Sequence, residues 1–112
     1  MATAFTYAIK FVGDMQAAIR FHTEQLGFKL RFESPDWSEL DTGATTVAFH
    51  KSSTENPAGT CQLGFRVDDI DAFMAACRKN GVTVVSEPKP IHGQRIAELA
   101  DPDGAVFSAS GR

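Results

Sequence analysis

Thiols and imidazoles are scarce in this chain: its 112 residues include two cysteines and three histidines. Cys61 and Cys77 are too far apart for a CxxC metal or redox motif. Cys61 falls in an apolar strand pattern and Cys77 on the apolar stripe of a helix, so both are expected to pack in the core as reduced, small hydrophobes. Charge of one sign is also lacking. Lys and Arg number 11 against 14 Asp and Glu, a net charge of −3, which leaves no basic footprint for nucleic acid. No apolar run nears the roughly 18 residues that a membrane span needs. Met1-Ala2-Thr3-Ala4-Phe5 has neither the basic nor the apolar region of a secretory signal, so a cytoplasmic protein is expected.

What the chain does have is a repeated grammar. Phe11-Val12-Gly13-Asp14-Met15-Gln16-Ala17-Ala18-Ile19 reads as a strand end, a cap and the start of an amphipathic helix. Arg66-Val67-Asp68-Asp69-Ile70-Asp71-Ala72-Phe73-Met74 says the same again. Asp14, and Asp68 or Asp69, are placed to cap the first turns. Met15, Ala18, Ile19, His22 and Leu26 form one stripe, and Ile70, Phe73, Met74 and Cys77 the other. Each helix closes on a glycine suited to the left-handed position, Gly27 and Gly81. The expected helices cover about 14–26 and 69–80.

Alternating strands complete each copy: 28–32, 37–40 and 45–50 after the first helix, then 82–85, 95–99 and 105–109 after the second. Residues 88–93 read as a Pro-rich loop. The polar stretch 51–59, with Pro57 and Gly59, reads as a linker. The expectation is an α+β fold in one domain, residues 1–112, with βαβββ modules at about 4–50 and 60–110. The modules would form an incomplete barrel or cup with both helices on the convex side and a ligand in the trough.

Three stretches carry a resemblance to a known family: Phe21-His22-Thr23-Glu24-Gln25-Leu26-Gly27-Phe28, Phe65-Arg66-Val67-Asp68-Asp69-Ile70, and Asp101-Pro102-Asp103-Gly104. In this order and spacing the chain resembles the vicinal oxygen chelate superfamily, which includes glyoxalase I, extradiol dioxygenases, and fosfomycin- and bleomycin-resistance proteins. The Asp-Pro-Asp-Gly segment itself reads as a tight turn with structural carboxylates. In metal-using members, cup-facing residues on the first and fourth strands of each module bind a divalent ion. The resemblance places Tyr7, Ala48, Gln62 and Ser108 at those positions. Ala48 has no donor, and Gln62 and Ser108 offer only neutral oxygens, so no metal and no other cofactor is expected. A displaced site from His50, Glu39, Glu98 and Tyr7 is the less favoured alternative.

Strand parity sorts the remaining candidates. Phe5, Tyr7, Ile9 and Phe11 share a face; so do Trp37 and Glu39, and Ala48 and His50. The expected ligand-binding residues are Tyr7, Trp37, Glu39, His50, Gln62 and Ser108, an aromatic wall with sparse polar groups. His22 is expected to pack with one hydrogen bond, and His92 is either a solvated loop residue or a lid over the cup. The reading is a metal-free binding protein, similar to the bleomycin-resistance branch, for an aromatic or cationic small molecule, acting as a homodimer. The alternative is a divergent glyoxalase-like or dioxygenase-like enzyme using a displaced metal or Tyr7, His50 or Glu98 in acid–base chemistry. No catalytic residue is assigned.

Overall fold

The computed structural model describes residues 3–91 and 93–112; His92 lies outside the described residues. The chain forms two compact units, Tyr7–Cys61 and Gln62–Arg112, the start of the first strand belonging with the latter. Both are mixed α+β and share one element order. The N-terminal unit uses β1 (Thr3–Val12), α1 (Met15–Arg20), β2 (Lys29–Phe32), β3 (Trp37–Asp41) and β4 (Thr46–Lys51). The C-terminal unit uses β5 (Cys61–Val67), α2 (Ile70–Lys79), β6 (Thr83–Ile91), β7 (Gln94–Ala100) and β8 (Val106–Gly111).

Topology repeats as well. In the N-terminal unit the strand order is β1-β4-β3-β2, and in the C-terminal unit β5-β8-β7-β6. The first and fourth strands pair in parallel in each, and the other neighbours are antiparallel. Even the caps match. Asp14 accepts from the Ala17 amide and Asp69 from the Ala72 amide, both at 3.0 Å and from extended backbone. Each carboxylate satisfies an otherwise orphaned donor of the first turn. Gly27 and Gly81 take φ of 77° and 79° just beyond the helices, a conformation that a Cβ would strain.

Each helix covers one face of its own sheet. In the N-terminal unit Val12, Ile19, Leu40 and Phe49 are buried beneath α1 with Met15, Ala18, Phe28 and Val47. In the C-terminal unit Val67, Ile70, Met74, Cys77, Ala97, Leu99 and Ala109 form the equivalent core. Burial pushes the Cys77 thiol up, against a smaller opposing pull from Arg78. Residues 52–60 are bonded back onto β1: Ser52 donates to the Val12 carbonyl, Gly59 to the Phe11 carbonyl, and Phe11 to the Thr60 carbonyl.

Several local expectations are corrected. Cys61 is exposed rather than in the core. Ten-residue α2 spans only about 15 Å, and of the β5 residues sharing a parity, Val67 is buried beneath it while Leu63 is exposed. The first helix is α-helical only to Arg20 and continues as a π turn over Phe21–Gln25. The wider turn rotates the stripe, and Leu26 is 50% exposed instead of packed. Phe5 does not extend the Tyr7 wall; its ring meets Phe65 at 6.0 Å, which meets Phe107 at 5.7 Å beside the α2 core. Residues 88–91 are strand, not loop. Pro88 and Pro90 are tolerated because β6 is last in its unit's order, and register shifts accommodate it against β7.

Candidate functional site

The N-terminal unit carries a second, smaller cluster on the sheet face away from α1. Ile9, Phe11 and Ala48 are buried there with Tyr7 and Trp37 packed against them. Cross-strand pairing explains the grouping: Trp37 lies opposite His50, which lies opposite Phe11, and Glu39 lies opposite Ala48, which lies opposite Ile9. The aromatic rings form a row, with centroids at 6.4 Å for Tyr7–Trp37, 6.1 Å for Trp37–His50 and 5.4 Å for Phe11–His50. The first two are edge-to-face contacts, the arrangement the ring quadrupoles favour.

Polar bonds fix the row in place. The indole Nε1–H of Trp37 donates to Glu39 Oε2 at 2.9 Å, so the ring cannot swing without losing a partner. Glu39 Oε1 accepts from Arg31 Nη2 at 3.1 Å, and the same Nη2 donates to Thr46 Oγ1. His50 Nδ1–H donates to the Lys51 carbonyl at 2.8 Å. That bond puts the ring proton on Nδ1 and leaves Nε2 as an acceptor. On the opposite face, His22 packs as expected: its Nδ1–H donates to the Ala18 carbonyl at 2.7 Å and its ring meets Phe49 at 4.7 Å.

Four of the expected ligand-binding residues, Tyr7, Trp37, Glu39 and His50, thus share one face of one unit. Gln62 and Ser108 belong to the C-terminal unit, on the face opposite α2, where Ser108 lies beside Gly64 and Glu98. Arg31 was missed. Its parity with Lys29, opposite to Leu30, was the only local signal; its partners Glu39 and Thr46 come from neighbouring strands, and the register slip before Phe32 breaks the alternation.

The donor set does not fit the divalent ion that the resemblance implies. Ala48 supplies no donor and is fully buried between its neighbours. Among the described residues no group of three or more His, Cys, Asp or Glu side chains is placed to hold a metal.

Duplicated βαβββ units with parallel first–fourth pairing and one helix on each sheet define a class of mixed α+β folds. Residues 4–108 match the glyoxalase/bleomycin resistance protein/dioxygenase superfamily, and the chain belongs to it. It is 31% identical to a probable chloroplastic lactoylglutathione lyase of Arabidopsis thaliana, over 86% of this chain and 32% of that protein. It is 29% identical to the uncharacterized protein YetH of Bacillus subtilis, over 87% and 88% of the two. Among solved structures, a hypothetical protein from Bacillus halodurans C-125 matches with a TM-score of 0.83 at 17% identity, covering 100% and 96% of the chains. Methylmalonyl-CoA epimerase from Mycobacterium tuberculosis matches with a TM-score of 0.82 at 21% identity, covering 96% and 87%. At those identities the structures speak for the fold alone. The chain spans about a third of the length of the plant relative. Among the described residues no helix is long and apolar enough to cross a membrane.

Proposed function

We propose that this is a metal-free small-molecule-binding protein that holds an aromatic or cationic ligand against the Trp37 wall, with Tyr7, Glu39 and His50 around it. Gln62 and Ser108 are retained as candidate ligand groups on their own unit's face. The observation that carries the reading is the indole of Trp37, half-buried, flanked edge-on by two rings and pinned by Glu39. A ring already fixed offers stacking area without further loss of side-chain freedom on binding. The proposal includes a cytoplasmic homodimer.

Trp37 is the chain's single tryptophan, so its emission reports the site directly. A metabolite and antibiotic screen by thermal shift should find a stabilising ligand. Trp37→Ala should then weaken that ligand by about 1–3 kcal/mol, the usual scale for a lost aromatic anchor. A ligand whose affinity is indifferent to Trp37→Ala would remove the reading.

A second reading, an enzyme, is supported by the relative named a probable lactoylglutathione lyase and by the acceptor nitrogen of His50. Tyr7, His50 or Glu98 would then supply acid–base groups. Turnover of a bound compound that His50→Gln abolishes would favour it.

A further inference from the structure

The Trp37-wall reading takes in both aromatic and cationic ligands, and Arg31 narrows it to one kind of aromatic. We propose that the site takes an aromatic ring bearing an anionic group, the ring on Trp37 and the anion on the Arg31 guanidinium; this rests on the Trp37-wall reading above. Three observations lead there. Glu39, the carboxylate on the wall, already has both oxygens engaged, one by the Trp37 indole and one by Arg31. Each oxygen thus already accepts one bond, and the ion pair with Arg31 offsets its charge, which makes it a poorer partner for a cation than an unpaired carboxylate. Arg31, in contrast, spends only Nη2 on Glu39 and Thr46. Among the described residues its Nη1 and Nε donors have no partner, and its side chain is 49% exposed.

The third observation is how Arg31 is aimed. Leu30 pairs with Leu40, but Phe32 pairs with Glu39, so the register slips at Arg31. Such a bulge sets two residues against one and redirects the extra side chain. Here the guanidinium is brought one carboxylate's width beyond the indole N–H, on the same face. With Nη2 engaged, the Nε–H and Nη1–H donors diverge, and each offers an anion on this face one charge-assisted hydrogen bond. Ring and anion are thus held side by side, as they are in an aryl carboxylate.

The test uses three probes with one ring and different charge: benzoate, benzamide and benzamidine. Binding to the intact protein is followed by Trp37 emission and ligand-observed NMR. Benzoate should bind about tenfold more tightly than benzamide, the scale of one charge-assisted hydrogen-bonded pair, with benzamidine weakest. Arg31→Gln should erase that order. Because Arg31→Gln also uncovers Glu39, the Arg31→Gln/Glu39→Gln double variant is the deciding protein: it leaves the net charge of the face unchanged. A benzoate preference that survives in the double variant, or a wild-type preference for benzamide or benzamidine, overturns the inference and leaves the wall reading intact. A saturable response to none of the three overturns both.

Discussion

At the scale of single residues, the closest tolerances lie where backbone meets backbone. Gly111, at the end of β8, has no room for a side chain: a Cβ built there would lie 2.5 Å from the Val67 carbonyl oxygen and 3.1 Å from a Val67 methyl. Its φ is not the issue; the constraint is contact alone. Val67 is itself buried in the α2 core, so neither partner can withdraw into solvent. Gly111→Ala should therefore destabilise the protein by about 1–3 kcal/mol, the range for overpacking, read from denaturant midpoints. Gly43, whose Cβ would meet nothing within 4 Å, is the contrasting position, where only its φ of 98° resists substitution. Equal stability of Gly111→Ala and wild type would show that β8 shifts freely against β5.

At the scale of elements, α2 is tied to β7 by Arg95, whose Nη1 and Nη2 donate to the two oxygens of Asp71 at 3.0 and 2.8 Å. The hydrogen bonds from Arg95 hold Asp71 below the usual carboxylate range, against a smaller push from desolvation. A carboxylate whose folded pKa is depressed stabilises the fold at neutral pH, where it is ionised in both states. That contribution is lost as pH falls below the ordinary carboxylate value and through the lowered one. Wild type should thus melt above Asp71→Asn at neutral pH, and the gap should narrow on acidification; a gap independent of pH would rule out the ion pair as its cause. Element positions were largely legible in the residues, because apolar period and caps carry them: Asp14, Asp69, Gly27 and Gly81 all serve as the sequence suggests. What escaped was irregularity. The π turn at Phe21–Gln25 leaves no mark in a stripe of apolar residues, so Leu26 was misplaced. Pro88 and Pro90 read as loop because a sequence does not say which strand lies at an edge. Arg31 was overlooked for a related reason: its partners Glu39 and Thr46 come from neighbouring strands, and register is not written locally.

At the scale of the whole molecule, two units of one topology carry different chemistry on the faces their helices leave uncovered. In the N-terminal unit that face is aromatic, with Tyr7, Trp37 and His50; in the C-terminal unit it has Gly64, Ser108 and Ser110 with Glu98 and Arg66. The positions that the resemblance assigns to the metal ligands follow the same division, Tyr7 and Ala48 on one unit and Gln62 and Ser108 on the other. A catalytic divalent ion takes roughly three strong protein donors and one open position. Here an alanine methyl, an amide, a hydroxyl and a phenol stand at those places, and no imidazole, thiolate or carboxylate is among them. Protein purified without added metal should therefore carry well under about one zinc, nickel, manganese or iron per chain by elemental analysis, given that donor demand. Dialysis against a chelator should leave both the melting temperature and Trp37-reported ligand binding unchanged, since a metal bound only by the folded state would add stability by mass action. Near-stoichiometric metal, or a melting temperature that falls on chelation and returns with one ion, would overturn this. It would also bring His50, Glu39 and Glu98 forward as the donors to substitute first.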